Sequence, residues 1–230
     1  MNVPVSEFAL FAEEFQNTIE EDFNNIWKYF SQQDIESLRY LEKVYLKNND
    51  KLPRNNHLAI LCNELINRIE GIAPNRENLG EIEIYLLNTD TWYYYELVLF
   101  TNALFLFEPN RVDSLAKRAI TKIEDYKHLK KEKNERIYML FNIVIFFMEN
   151  DYITFSEKYL EIAKKELKAT RFLYEKVKCL YLEGCLEIKK ANINSGCSIC
   201  EEAISLMERL DIKTEAEQHK QYLQDMLKSV

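Results

Sequence analysis

Glycine and proline are scarce in this chain, which has four of each among its 230 residues. An average protein has roughly 12% of the two combined, and they supply the backbone conformations of tight turns and β-hairpins. Because hydrophobic residues still make up 47% of the chain, it has enough apolar material for a substantial core. No segment shows a convincing strand pattern. The sequence therefore predicts an all-α protein.

Excess positive charge and long hydrophobic runs are also missing. The formal net charge is -8 and the isoelectric point is about 5.2, so the mean surface potential repels phosphate backbones. The N-terminus lacks the basic start and apolar stretch of a secretory signal. The strongest apolar run, residues 97–107, is interrupted by Thr101 and Asn102 and is too short to span a bilayer. We expect a cytoplasmic protein with no membrane partner.

Signatures of catalysis and metal binding are absent too. The sequence has no Gly-rich phosphate loop and no GxSxG elbow. Its three histidines, His57, His128 and His219, fall in different predicted helices without a second ligand at helical spacing, so they are interpreted as solvated or capping residues. The sequence predicts no enzyme, no cofactor and no metal site.

The five cysteines form an odd number in a chain without a secretory signal, which favours free thiols. Cys197 and Cys200 form a single CxxC. A helix N-terminus could lower the pKa of such a pair, but no second CxxC or βαβ context accompanies it. Two ordinary thiols near a helix start are the preferred interpretation.

Apolar residues recur at helical spacing along the whole chain. The early stripes predict helices over 8–30, 35–45 and 56–69, and a more polar final helix is predicted over 214–227. Between them, paired helices are predicted over 91–107, 112–129, 135–148, 154–167, 172–189 and 198–210.

Phe100-Thr101-Asn102 aligns with Leu140-Phe141-Asn142, a separation of 142 - 102 = 40 residues that is typical of helical repeats. Such hairpins bury their apolar faces by stacking, which predicts a right-handed superhelix of tetratricopeptide-like pairs. We expect one domain over 1–230, with N-terminal helices in 1–89, the clearest pairs in 90–210 and a capping helix in 211–230.

Asn102 and Asn142 are strongly polar residues inside apolar helical runs. An amide in a helix that is buried on several sides needs hydrogen-bonding partners, and it can donate to and accept from the backbone of an extended peptide at the same time. An interhelical bond within the stack is the alternative for both. Residues at helical spacing from the two asparagines would complete an apolar groove: Tyr95, Val98, Phe105, Tyr138 and Ile145.

Other residues could also contribute to such a groove. Trp92-Tyr93-Tyr94-Tyr95 opens the most aromatic helix, and one or two of its tyrosines could face a ligand while the others pack between hairpins. Arg136 and Arg171 lie near the starts of predicted inner helices and could pair with a peptide C-terminal carboxylate. Solvated surface arginines are the alternative.

The run W-x3-E-L-x2-F-x-N from Trp92 to Asn102, then Phe141-Asn142 and Asn150-Asp151-Tyr152, resembles the C-terminal domain of Rgg-type (GadR/MutR) transcriptional regulators of Gram-positive bacteria. The resemblance implies a homodimeric intracellular receptor for quorum sensing. It also implies that a tetratricopeptide-like domain holds a short signalling peptide on its concave face and controls an N-terminal helix-turn-helix. By this resemblance, Asn102 and Asn142 would clamp the peptide backbone.

Residues 1–70 contain no compact basic helix-turn-helix, so we expect DNA contact only through a domain absent from this chain, either removed from it or naturally missing. For the homodimer, the side chains that look exposed in the C-terminal helices are the predicted contact surface: Met207, Tyr222, Leu223 and Met226. The competing hypothesis is a helical-repeat scaffold that engages a folded protein and has no peptide ligand.

Overall fold

The computed structural model of the protein describes residues 5–48, 53–123, 130–168 and 170–229, and this part of the chain is helical without a β-strand. It divides into two compact units. Unit 1 comprises residues 1–108 with 121–123, and unit 2 comprises residues 109–120 with 124–230. The predicted all-α class built from paired helices is confirmed, whereas the assignment of one domain over 1–230 stays a prediction.

Unit 1 contains five helices followed by a 3₁₀ turn at Leu104–Leu106. The helices α2 and α3 pack on each other, and α1 packs on α2, α3 and α5. Burial of their apolar stripes supplies the core, in which Leu38, Leu58 and Phe100 are fully enclosed. The helices are α1 (Val5–Ser31), α2 (Ile35–Lys47), α3 (Pro53–Glu70), α4 (Arg76–Asn88) and α5 (Tyr94–Ala103).

Unit 2 contains α7 packed on both α8 and α9, and α9 packed on α10. The last of these contacts is very close, because a methyl group added to Gly196 would lie 2.6 Å from the carbonyl oxygen of Gly184. The helices are α6 (Pro109–Ile123, whose last three residues belong to unit 1), α7 (Lys130–Glu149), α8 (Ile153–Leu167), α9 (Leu173–Lys189), α10 (Ile193–Arg209) and α11 (Lys213–Ser229).

Four helix connections reuse one geometry without glycine. Each contains a residue in the left-handed region two positions before the next helix, with φ between 54° and 67°. The residue after it donates its backbone N–H to a carbonyl five positions back, as Tyr152 does to Phe147 at 2.8 Å. The left-handed residues are Gln33, Asp151, Ala191 and Asp211. The shortage of glycine thus did not prevent tight connections, since polar residues and one alanine adopt the strained conformation.

Most predicted helices agree with the observed ones within a few residues. The helix α4 was missed, because its sequence includes Gly80 and its only fully buried side chains with a described position are Ile82 and Leu86. The helix predicted over 91–107 is shorter, ending in the 3₁₀ turn. The predicted helix end at residues 124–129 lies outside the described residues. No helix in the described ranges has the length and apolarity needed to cross a membrane.

Candidate functional site

Asn102 of α5 already has hydrogen-bonding partners inside unit 1. Its side-chain oxygen accepts a hydrogen bond from the indole N–H of Trp27 in α1, and its amide nitrogen donates to the carbonyl oxygen of Val98 at 2.7 Å. The first bond is possible because α1 packs against α5. Asn102 therefore makes an interhelical hydrogen bond within the stack, which was the alternative to a peptide clamp.

The other predicted residues of α5 and the 3₁₀ turn are half-buried. The Tyr95 hydroxyl lies 2.8 Å from Nδ1 of His57, and their rings stack. Phe105 packs edge-on against Trp27, and the Arg68 guanidinium lies 5.1 Å above the Phe105 ring. Burial raises the pKa of the Tyr95 hydroxyl and lowers that of His57 to about 4. These side chains are held in place by unit 1 itself.

The other tyrosines of this segment divide between packing and exposure. Tyr94 is buried and donates to Glu20 at 3.0 Å. Tyr93 is 57% exposed. Glu96 is buried and accepts hydrogen bonds from the Tyr85 hydroxyl at 2.7 Å and from the Tyr93 backbone N–H at 2.9 Å. The polar side chains at the start of α5 are thus bonded to α1, to α4 and to the backbone of Tyr93.

Asn142 of α7 has a different environment in unit 2. It is half-buried, and its flanking residues Phe141 and Ile143 are fully buried. Unlike Asn102, its amide has no hydrogen-bond partner among the residues the structure describes. A half-buried amide without a protein partner can hydrogen-bond to a ligand at no cost to the fold.

Tyr138 and Ile145 lie one turn before and one turn after Asn142. The Tyr138 hydroxyl donates to Glu175 of α9 at 3.1 Å. Ile145 lines a cavity of about 230 Å³ between α7, α9 and α11. The remaining lining residues are Lys178, Tyr181, Leu182, Gln218, His219 and Tyr222. A mostly apolar cavity of this size, on the helix that carries Asn142, can hold one large side chain of a ligand.

Lys178 was not singled out from the sequence, in which it lies between the buried Val177 and Cys179. Its ammonium lies 5.9 Å from the ring centre of Tyr138 and 5.7 Å from that of Phe141. Burial lowers the pKa of this lysine, partly offset by the charge of Glu175. Its position in an apolar stretch of helix was the only signal in the sequence.

The two predicted arginines are in contrasting environments. Arg136 is 6% exposed, and its guanidinium donates to Glu166 from both Nε, at 2.8 Å, and Nη2, at 2.6 Å. It also donates to the carbonyl of Ile120. Neither sequence interpretation describes this buried ion pair. Arg171 is exposed before the start of α9 and pairs with no residue in the described ranges.

The interpretation of the histidines as solvated or capping residues needs correction at His57 and refinement at His219. His57 is buried at 2% exposure, so it is not a solvated or capping residue. His219 is half-buried and its Nδ1 lies 2.6 Å from the Glu215 carbonyl oxygen, while His128 lies outside the described residues. No group of three possible metal ligands occurs within the described ranges.

The CxxC cysteines lie further inside a helix than predicted, because α10 begins at Ile193. Cys200 is fully buried, with its sulfur 3.9 Å from that of Cys185. Burial raises the pKa of Cys197, and hydrogen bonding to Cys185 together with burial raises that of Cys200. The lowered pKa considered for this pair is therefore wrong, and ordinary free thiols remain.

The predicted dimer surface is not exposed. Met207, Leu223 and Met226 are at most 8% exposed, and the half-buried Tyr222 donates to Glu149 at 3.3 Å. These apolar side chains belong to the core that α11 forms with α10. The prediction of this contact surface was wrong because helical periodicity identifies an apolar stripe without identifying what covers it.

Comparison with known proteins gives one family match. Residues 38–221 match the sequence model of the C-terminal domain of the HTH-type transcriptional regulator Rgg. This match covers more than half of the chain and includes α5, α7 and α9.

Solved structures give the same fold. The chain is similar to the SHP pheromone receptor Rgg2 of Streptococcus dysgalactiae, with a TM-score of 0.73 and 20% identity, covering 97% of this chain and 80% of that one. A protein of Listeria monocytogenes EGD-e described as a transcriptional regulator gives a TM-score of 0.78 at 17% identity, and the match covers 99% of this chain and 80% of that one. The regulator RopB gives a TM-score of 0.73 at 22% identity, and the match covers 97% of this chain and 99% of that one.

Proposed function

The chain belongs to the Rgg family of HTH-type transcriptional regulators, matching its C-terminal domain, and from this premise we propose that it is a receptor domain for a short signalling peptide. The family is one of regulators and not of enzymes. The observation that carries the proposal is the half-buried amide of Asn142, which lacks a hydrogen-bond partner among the described residues of unit 2.

An extended peptide suits this face of α7 chemically. Its backbone offers both a donor and an acceptor, which is what a free asparagine amide requires. The cavity beside Ile145 can hold one apolar side chain of the peptide, and Tyr138 borders the same face. Similarity to a structure described as a pheromone receptor supports this class of ligand.

In unit 1, the face of α5 is a second proposed peptide contact. Its half-buried side chains Tyr95, Val98 and Phe105 offer apolar surface. Asn102 contributes less as a clamp than its sequence position indicated, because Trp27 and Val98 already satisfy its amide. Arg136 is occupied by Glu166 and acts as a structural residue, whereas Arg171 stays a candidate at the surface.

The wider setting also belongs to the proposal. The receptor acts in the cytoplasm as a homodimer. Its dimer contact uses a surface other than the residues of α10 and α11 that the sequence predicted. It reaches DNA only through a helix-turn-helix domain, and peptide binding regulates transcription in quorum sensing. The competing function, a scaffold for a folded protein, needs neither a free amide nor a cavity on the same helix, so Asn142 and the cavity bordered by Ile145 favour the peptide receptor.

The direct test exposes the immobilised protein to a synthetic pool of short peptides built from Leu, Ile, Val, Phe and Trp, followed by mass spectrometry of the retained fraction. We expect the protein to retain a subset of the pool and Asn142→Ala to retain less of it. Asn194→Ala is the matched control, because Asn194 is an exposed asparagine of α10. A wild-type protein that retains no peptide would favour the scaffold.

A further inference from the structure

Lys178 is a half-buried cation without an anionic partner. Its ammonium forms no hydrogen bond or ion pair with any residue in the described ranges. Most other lysines of α8 and α9 behave differently: Lys164 pairs with Glu183 at 2.8 Å and Lys189 with Asp151 at 2.9 Å. A buried charge is normally paired, so a half-buried lysine without an ion pair beside a cavity is suited to bind an anion.

The groups around Lys178 offset its buried charge only in part. Glu175 is the nearest acid on its own helix, but it accepts a hydrogen bond from the Tyr138 hydroxyl at 3.1 Å and makes no ion pair with Lys178. From α11, His219 also faces this lysine, and the charge of Lys178 contributes to lowering the pKa of His219. The rings of Tyr138 and Phe141 supply only cation–π attraction.

We propose that Lys178 binds the C-terminal carboxylate of the peptide, while the last side chain of the peptide occupies the cavity lined by Ile145, Tyr181 and Tyr222. This inference rests on the proposed peptide-receptor function and deepens it. It assigns the carboxylate to Lys178 and not to Arg136, which is bound to Glu166, and it leaves Arg171 as the alternative that the variants test.

The cavity explains why the carboxylate belongs to the peptide terminus. Lys178 itself lines the cavity of about 230 Å³ that Ile145 borders, so the cation and the apolar space are adjacent. A C-terminal residue places one carboxylate and one side chain on the same carbon, which matches this adjacency. The lowered pKa of Lys178 agrees, because a bound carboxylate would offset the cost of burying its charge.

The test compares two pools of the short apolar peptides, one with free C-terminal carboxylates and one with C-terminal amides, on the wild type, Lys178→Met and Lys178→Arg. The concentration for half-maximal retention is measured. The wild type is expected to bind the acid pool roughly 10-fold or more tightly than the amide pool, as for a charge-assisted hydrogen bond. Lys178→Met should lose this preference and Lys178→Arg should keep it.

A third pool carries C-terminal amides and one internal Asp. Equal retention of acid and amide pools by the wild type, or a preference that persists in Lys178→Met, would overturn the inference while leaving the receptor function intact. Rescue by the internal Asp through Lys178 would also overturn it, since the carboxylate would then come from a side chain. If no pool is retained, the receptor function itself fails. If Lys178→Met does not fold, equal retention of the acid and amide pools by the wild type would still overturn the inference, and Lys178→Arg would still be expected to keep the preference.

Discussion

Asn102 of α5 and Asn142 of α7 occupy equivalent places in their sequences, yet the two units treat them in opposite ways. In unit 1, Trp27 and Val98 satisfy the amide of Asn102. In unit 2, no described residue bonds to the amide of Asn142. The comparison shows that a polar residue in an apolar helix can either make a hydrogen bond that holds two helices together or keep its side chain without a protein partner.

The difference originates in the neighbouring helices. The helix α1 packs on α5 and presents an indole N–H, a group that can only donate and that finds its acceptor in Asn102. Of the polar groups that α8 presents to α7, the Ser156 hydroxyl donates to the Val144 carbonyl at 2.7 Å, and Glu166 pairs with Arg136. From α9, Glu175 accepts from Tyr138. These groups near α7 therefore have other partners, and none of them bonds to Asn142.

The largest effect that would sharpen this comparison concerns pH and unit 1. His57 lies within the polar network of unit 1, and burial lowers its pKa from 6.5 to about 4. The unfolded state binds a proton at His57 more readily than the folded state does. The contribution of neutral His57 to the folding stability of unit 1 is therefore fully present above pH 6.5 and is lost as the pH falls to about 4. The loss amounts to about 3 kcal/mol of unfolding free energy.

Tryptophan fluorescence during urea unfolding measures this effect, because the only two tryptophans, Trp27 and Trp92, both lie in unit 1. His57→Gln should flatten the pH dependence between those two values relative to the wild type, whatever its absolute stability. An unchanged slope would show that His57 does not contribute. The readout separates unit 1 from His219 of unit 2, whose pKa burial also lowers.

The next effect concerns binding to unit 2. Asn142→Ala should weaken the binding of a peptide selected from the pool by about 10-fold or more, because the peptide backbone loses its hydrogen bonds to the amide. The unfolding free energy should change by less than about 0.5 kcal/mol, since no bond within the described protein is removed. Isothermal titration calorimetry and urea unfolding followed by circular dichroism measure the two quantities.

Asn102→Ala should show the reverse pattern with a smaller effect. Removal of the acceptor for the Trp27 indole should lower the unfolding free energy of unit 1 by about 1 kcal/mol, as monitored by tryptophan fluorescence. Peptide affinity should change by no more than about twofold. If Asn102→Ala instead reduces affinity as strongly as Asn142→Ala does, the contrast between the two asparagines is wrong and both act as clamps.

Arg171→Ala should have the smallest effect. The side chain is exposed and pairs with none of the described residues, so its removal should change the unfolding free energy by less than about 0.5 kcal/mol. Calorimetry with the same peptide should show no loss of affinity. A loss comparable to that of Lys178→Met would identify Arg171 as the partner of the peptide carboxylate.

The sequence predicted helices well where apolar side chains recur at a strict helical spacing, as from Ile35 to Tyr45 and from Ile137 to Met148. It missed α4, whose few buried side chains and internal Gly80 weaken the pattern. Exposure was harder to predict than helix position. Met207 and Met226 lie in apolar stripes that looked available for a dimer, but α10 and α11 cover each other's stripes.

The sequence by itself determined the helical class, the repeat interval near 40 residues and the presence of two polar residues in apolar runs, because these follow from local periodicity. Only the tertiary structure decided that Asn102 is bonded, that Arg136 is buried against Glu166 and that Lys178 is unpaired beside a cavity. Each of these depends on which side chain a distant helix brings within hydrogen-bonding distance, and no local pattern encodes that partner.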